Sequence, residues 1–220
     1  MGDPSTAEVT ATGLPSWRGR MHTWALVASA PAGIVLLAAS EPGVARAATA
    51  VYVTSLLALF AASAAYHRLR LSAPARRRMR QLDHSMIYVL IAGTYTPVCA
   101  VVLPGEWGIP FLVASWAGAL AGIGFTAAGV ERFGVLTNVL YLVLGWTVVA
   151  GLPVLVSRMS GAGLTFLVVG GLTYTAGAVV LFRHRPDPAP AVFGFHEIWH
   201  ACTVVAAASH YGMVWSVVVR

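Results

Sequence analysis

Apolar residues run through this chain in long stretches, and polar residues fall in short clusters between them. Seven stretches have the length that an α-helix needs to cross the ~30 Å hydrocarbon core of a bilayer. They lie at about 23–40, 47–68, 81–103, 109–130, 135–156, 164–182 and 195–219. The breaks carry turn chemistry: Glu41-Pro42-Gly43, Pro104-Gly105-Glu106, Glu131-Arg132 and the polar, Pro-rich stretch 183–190. Residues 1–20 are small, polar and rich in Gly and Pro, which predicts a disordered cytoplasmic tail. Residues 21–220 then form one all-α domain, a bundle of seven transmembrane helices. No apolar segment followed by a small-residue cleavage site precedes the first stretch, so that stretch is expected to be an uncleaved anchor.

Composition sharpens this picture. The chain of 220 residues is 58% hydrophobic and 10% charged, whereas soluble domains carry ~25% charged residues. A water-facing surface cannot be built from so few charges. All 14 basic residues are Arg, and the net charge is +6. That excess sits in loops beside apolar runs, where it sets topology and attracts anionic headgroups, and it does not indicate a nucleic-acid partner. With the N-terminus inside, eleven Arg (18, 20, 68, 70, 76, 77, 78, 80, 132, 183 and 185) fall on the cytoplasmic side. Three (46, 158 and 220) fall outside. This distribution predicts a cytoplasmic N-terminus, an external C-terminus and a multi-pass inner (plasma) membrane protein. Cys99 and Cys202 lie within apolar runs and read as small core residues, not as a disulfide. Pro31, Pro97, Pro110 and Pro153, with small-residue runs such as 118–122 and Gly170-Gly171, read as features of helix packing.

Ionisable groups within membrane spans are expensive, so each needs a reason. His67 lies near the end of the second span, Asp83 opens the third, and His196 and His200 open the seventh. Alternating spans bring all four to the cytoplasmic end. His196 and His200 are one helical turn apart, so both imidazoles can reach one ion. His67 supplies a third ligand, and three imidazoles with an open position make a usual catalytic zinc set. Imidazole also suits iron, copper or nickel; zinc is favoured because it needs no redox partner. Asp83 is read as the general base for water, with direct ligation or orientation of an imidazole as alternatives. Ser63, one turn before His67, could polarise a substrate carbonyl. The competing reading is a hydrogen-bonded network between helices. The string from His196 to His200 also matches H-E-x-x-H, in which Glu197 would be the base of a metalloprotease. His84 and His210 read as interfacial and interhelical residues, and His22 and His184 as membrane-edge residues.

In combination, several strings resemble the hemolysin III family, the bacterial branch of the progestin and adipoQ receptor group. They are Ser63-Ala-Ala-Tyr66-His67, Leu82-Asp83-His84-Ser85, the run from Ala92 to Pro97, Tyr141 to Trp146, Gly170 to Tyr174, His196 to His200, and Ser209-His210-Tyr211. The resemblance implies seven helices with an inward N-terminus and a zinc on His67, His196 and His200. It places Asp83 and Ser63 beside the catalytic water. The wider superfamily includes alkaline ceramidases, which hydrolyse lipid amides.

Three functions compete at this stage. One is a zinc-dependent hydrolase of a lipid amide or ester, with membrane lipids as partners and source of substrate. The second is a membrane-state sensor with a structural zinc, in which Asp83→Ala would matter little. The third is cytolysis, as the family label suggests, which dye release from liposomes would detect. No substrate and no oligomeric state follows from the chain.

Overall fold

The computed structural model describes residues 15–219, with side chains throughout except at 130–135, 137 and 138. Most of the expected tail, residues 1–14, together with Arg220 and the Arg132 side chain, lies outside the described residues. The helices in chain order are α1 (Arg20–Ala39), α2 (Val44–Arg68), α3 (Ala73–Pro97), α4 (Gly105–Ala127), α5 (Val130–Trp146), α6 (Leu152–Arg158), α7 (Gly161–Arg183) and α8 (Phe195–Val218). A π-helical turn, Val98–Val102, extends α3, and a 3-10 turn, Thr147–Gly151, joins α5 to α6. Among the described residues there is no strand beyond an isolated bridge between Ala189 and Phe193. Among the described residues, seven helical spans are long and apolar enough to cross a membrane, with α5 and α6 sharing the fifth.

Consecutive spans pack side by side, and α8 returns to touch α1, α2 and α3. The central helices are α2 and α3, each with 61% of its most apolar stretch buried, against 11% for α7. Large apolar side chains such as Trp24, Ile34, Ile109 and Leu120 point outward, as a surface solvated by lipid requires. Small residues set the close contacts. A Cβ at Gly93 would strike Ser55 on α2, one at Gly122 would strike the Tyr88 ring, and one at Gly170 would strike His210. Cys99 is buried in the core and Cys202 is half-buried, both as free thiols.

Three boundaries differ from the hydropathy pattern. The turn expected at Glu131-Arg132 lies instead at Ala128–Gly129, and both Glu131 and Arg132 stand in the first turn of α5. The third span starts at Ala73, so Arg76, Arg77, Arg78 and Arg80 stand on helical turns and not in a loop. Pro74 in the first turn starts that helix, and Arg is a good helix former when its head stays in water. The Arg76 guanidinium lies 5.2 Å from the centroid of the Tyr66 ring. The fifth span is interrupted at Thr147–Gly151. Pro153 has no N–H to continue the ladder back through this segment. Tyr95 of α3 meets the interruption: its hydroxyl accepts from Val148 N at 2.8 Å and from Thr147 Oγ1 at 3.0 Å, and donates to Gly145 O at 2.8 Å. Backbone groups freed inside a bilayer need such partners.

Candidate metal centre

His67 is the penultimate residue of α2, and His196 and His200 lie on the first two turns of α8. The start of α8 is well determined locally. The Asp187 carboxylate accepts from Phe195 N at 3.0 Å, and Glu197 Oε2 accepts from Gly194 N at 3.0 Å. These bonds satisfy amides that a helix start leaves without partners. With α8 seated against the end of α2, the rings of His67, His196 and His200 have centroids 4.6–5.0 Å apart.

Each of these histidines offers one nitrogen, and the three nitrogens lie within 4.8 Å of one another. The Nε2 atoms of His67 and His196 are 3.3 Å apart. Two imidazoles on one tetrahedral ion, with metal–nitrogen bonds of about 2.0–2.1 Å, place their nitrogens about 3.3–3.4 Å apart. One pair therefore already stands at ligand separation, and the third nitrogen needs at most about 1.5 Å of adjustment. The three histidines can hold a metal ion. His200 is 3% exposed and His67 8%, so an ion here would lie largely out of water.

Ser63 stands one turn before His67 on α2 and is buried. Its hydroxyl donates to the Asp83 carboxylate, which reaches it from α3. The structure thus assembles the expected residues as two groups, the three imidazoles and the Ser63–Asp83 pair. Neighbouring His84 is half-buried, and its backbone carbonyl accepts from the Tyr141 hydroxyl at 3.2 Å. His210 lies beside Tyr174, ring centroids 5.6 Å apart, and its buried Nε2 has no hydrogen-bond partner among the described residues. The expectation of a hydrogen-bonded interhelical histidine is met through the backbone of Leu167 on α7, while the Nε2 side of the ring packs against the bare backbone of Gly170.

His22 and Arg18 also belong to the site and were not singled out for it by the pattern of the sequence, and Glu197, the carboxylate of the H-E-x-x-H string, joins them. His22, in the first turn of α1, is 3% exposed and stacks on His200 with ring centroids 3.9 Å apart and planes within 8°. The membrane-edge reading of His22 is corrected by this burial: α1 packs directly against α8, and its first turn faces inward. Arg18 Nε donates to Glu197 Oε1 at 2.6 Å. Both oxygens of Glu197 are therefore engaged, one by Arg18 and the other by Gly194 N, so this glutamate is a helix cap and a counter-ion.

These features define a multi-pass helical membrane protein with a histidine triad suited to a metal ion at one end of its bundle. The family described as "Haemolysin-III related" matches residues 14–211, and the chain belongs to it. The chain is 34% identical over 183 residues to Hemolysin-3 of Bacillus cereus, covering 81% of this chain and 80% of that protein. It is also 34% identical over 162 residues to the Hemolysin-3 homolog of Bacillus subtilis, covering 73% and 72%. Human monocyte to macrophage differentiation factor is 29% identical over 177 residues, covering 77% and 70%. The protein is accordingly a multi-pass plasma-membrane protein.

Proposed function

We propose that this protein is a zinc-dependent hydrolase acting on the amide or ester bond of a membrane lipid, with its site at the cytoplasmic end of the bundle. The observation that carries this reading is the meeting of three imidazole nitrogens within 4.8 Å of one another. The hydrogen-bonded Ser63–Asp83 pair on the adjoining helices supports it. His67, His196 and His200 would hold the ion. Zinc is favoured over redox metals because hydrolysis moves no electrons, and when bound it supplies Lewis acidity that makes water a nucleophile near neutral pH.

The remaining chemistry belongs to the chain. Asp83 accepts the proton of the attacking water and returns it to the departing amine or alcohol, as a general base and then a general acid. Ser63 holds the Asp83 carboxylate in one orientation. When that carboxylate is protonated, the Ser63 hydroxyl is free to donate to the oxygen on which negative charge develops. Burial of His67 and His200 keeps bulk water out and strengthens these interactions. Lipids from the surrounding bilayer supply the substrate, and the Arg-rich start of α3 favours anionic headgroups at this end.

The test is metal content followed by turnover. Purified wild type should carry about one zinc and release fatty acid from mixed bacterial lipids. His200→Ala should lose the zinc, and Asp83→Ala should keep it while losing turnover. Equal zinc in wild type and His200→Ala would remove the basis for the site. Zinc-loaded protein that turns over no lipid class would leave the metal but refute the hydrolase.

A further inference from the structure

The H-E-x-x-H string of α8 contains a carboxylate that the hydrolase reading does not use. Glu197 is 1% exposed, and a buried charge requires a counter-charge. Among the described residues that counter-charge is Arg18, which lies 179 positions earlier in the chain. Arg18 belongs to the short segment that leads into α1, and this segment crosses the end of the bundle where the histidines meet. Ser16 N donates to Ala191 O at 3.2 Å, and Trp17 N donates to Val192 O at 3.3 Å. The Trp17 ring meets Phe193 edge-on, with centroids 6.3 Å apart. Gly19 follows in the left-handed conformation, with φ +73°. It lies so close to α2 that a Cβ there would stand 2.7 Å from the His67 Cβ. Three residues on, His22 stacks on His200.

We infer that residues 15–22 form a strap that closes the water-facing mouth of the metal centre and positions its ligands. It grips both halves of the site. Gly19 abuts His67 on α2, and Arg18 and His22 hold Glu197 and His200 in the first two turns of α8. Arg18, Glu197 and His22 are therefore positioning residues, and the Arg18–Glu197 pair is the catch that keeps the strap shut. Opening it would expose His67 and His200 to water. The strap thus gives the centre one shut aqueous side.

This inference rests on the metal reading for only one of its two measurements. The first is the rate at which full-length protein in detergent loses bound zinc to a chromogenic chelator. Loss of a charge-assisted hydrogen bond should raise the open population, and with it this rate, about ten- to a hundred-fold in Arg18→Ala. Arg18→Lys should fall between, and Arg20→Ala, altering an exposed neighbour, should match wild type. The second measurement uses metal-free protein: the rates at which diethyl pyrocarbonate modifies His67 and His200, read by mass spectrometry. These should rise by a similar factor in Arg18→Ala. Glu197→Gln, which keeps an acceptor for Gly194, should reproduce both effects and serves in place of Arg18→Ala if that variant does not fold. Folded variants with wild-type rates in both measurements would overturn the strap, even if their melting temperatures fell. If wild type takes up no zinc, the metal reading fails, and the modification rates alone decide the strap.

Discussion

Tyr95→Phe isolates one hydroxyl whose loss cannot be repaired by water. In the native bundle that hydroxyl accepts from Val148 N and Thr147 Oγ1 and donates to Gly145 O. Thr147 keeps its second partner, Leu144 O at 2.7 Å, so its loss is small. The Val148 amide loses its acceptor inside the bilayer, at about 1–3 kcal/mol for an unsatisfied buried donor. Gly145 O loses a donor as well, which brings the expected destabilisation to about 2–3 kcal/mol. At about 1.4 kcal/mol per tenfold, the unfolding equilibrium should shift by about 30- to 140-fold. Titration of the purified protein with sodium dodecyl sulfate in mixed micelles, followed by far-ultraviolet circular dichroism, reads this shift. Amide exchange at Val148 should quicken in the same variant. A transition midpoint equal to wild type, with unchanged exchange at Val148, would mean that Tyr95 does not cap the interrupted span.

Other outcomes follow from the same geometry. Gly170→Val should disrupt the α7–α8 contact, because the His210 ring occupies the space of a side chain there; a drop in melting temperature larger than that of Gly171→Val, where the space is open, checks it. Removing zinc with a chelator should lower the melting temperature, since a ligand at about a thousand times its dissociation constant stabilises by about 4 kcal/mol, and His200→Ala should show no such response. Ser63→Ala should reduce turnover while leaving zinc in place, and a loss of zinc equal to that of His67→Ala would instead make the hydroxyl a support of the ligand. A reporter active only in the cytoplasm should be silent when fused after Arg220 and active when fused at the N-terminus.

The histidine triad was legible because it needs little three-dimensional knowledge. An apolar run of about 20 residues must cross, successive crossings alternate in direction, and so the end of α2 and the start of α8 share one side. The spacing of His196 and His200 does the rest. His22 obeys the same alternation, since it opens α1 at that end. What the chain does not display is the order of helices around the bundle, and only the contact of α1 with α8 turns a residue at a span's edge into one stacked on a ligand. The pairing of Arg18 with Glu197 was hidden for the same reason, since it joins residues across nearly the whole chain. The interruption of the fifth span escaped because the mean hydropathy of 139–158 is high throughout, and hydropathy does not distinguish an α-helix from a 3-10 turn. The early start of α3 escaped because Arg-rich turns carry no apolar signal, although Pro74 in the first turn marks the start.

His67 and His196 stand 129 positions apart, and their meeting has a bearing on how the protein is made. During synthesis α2 enters the bilayer early, and for most of translation it presents a single imidazole. The other two arrive together on the last helix. If the triad holds an ion, a nascent chain would not chelate it firmly until α8 has docked, and a chain cut short before Phe195 would lack two of the three ligands. On the proposed metal reading, capture of an ion would report that α8 has docked, because it would rivet α2 and α8 together.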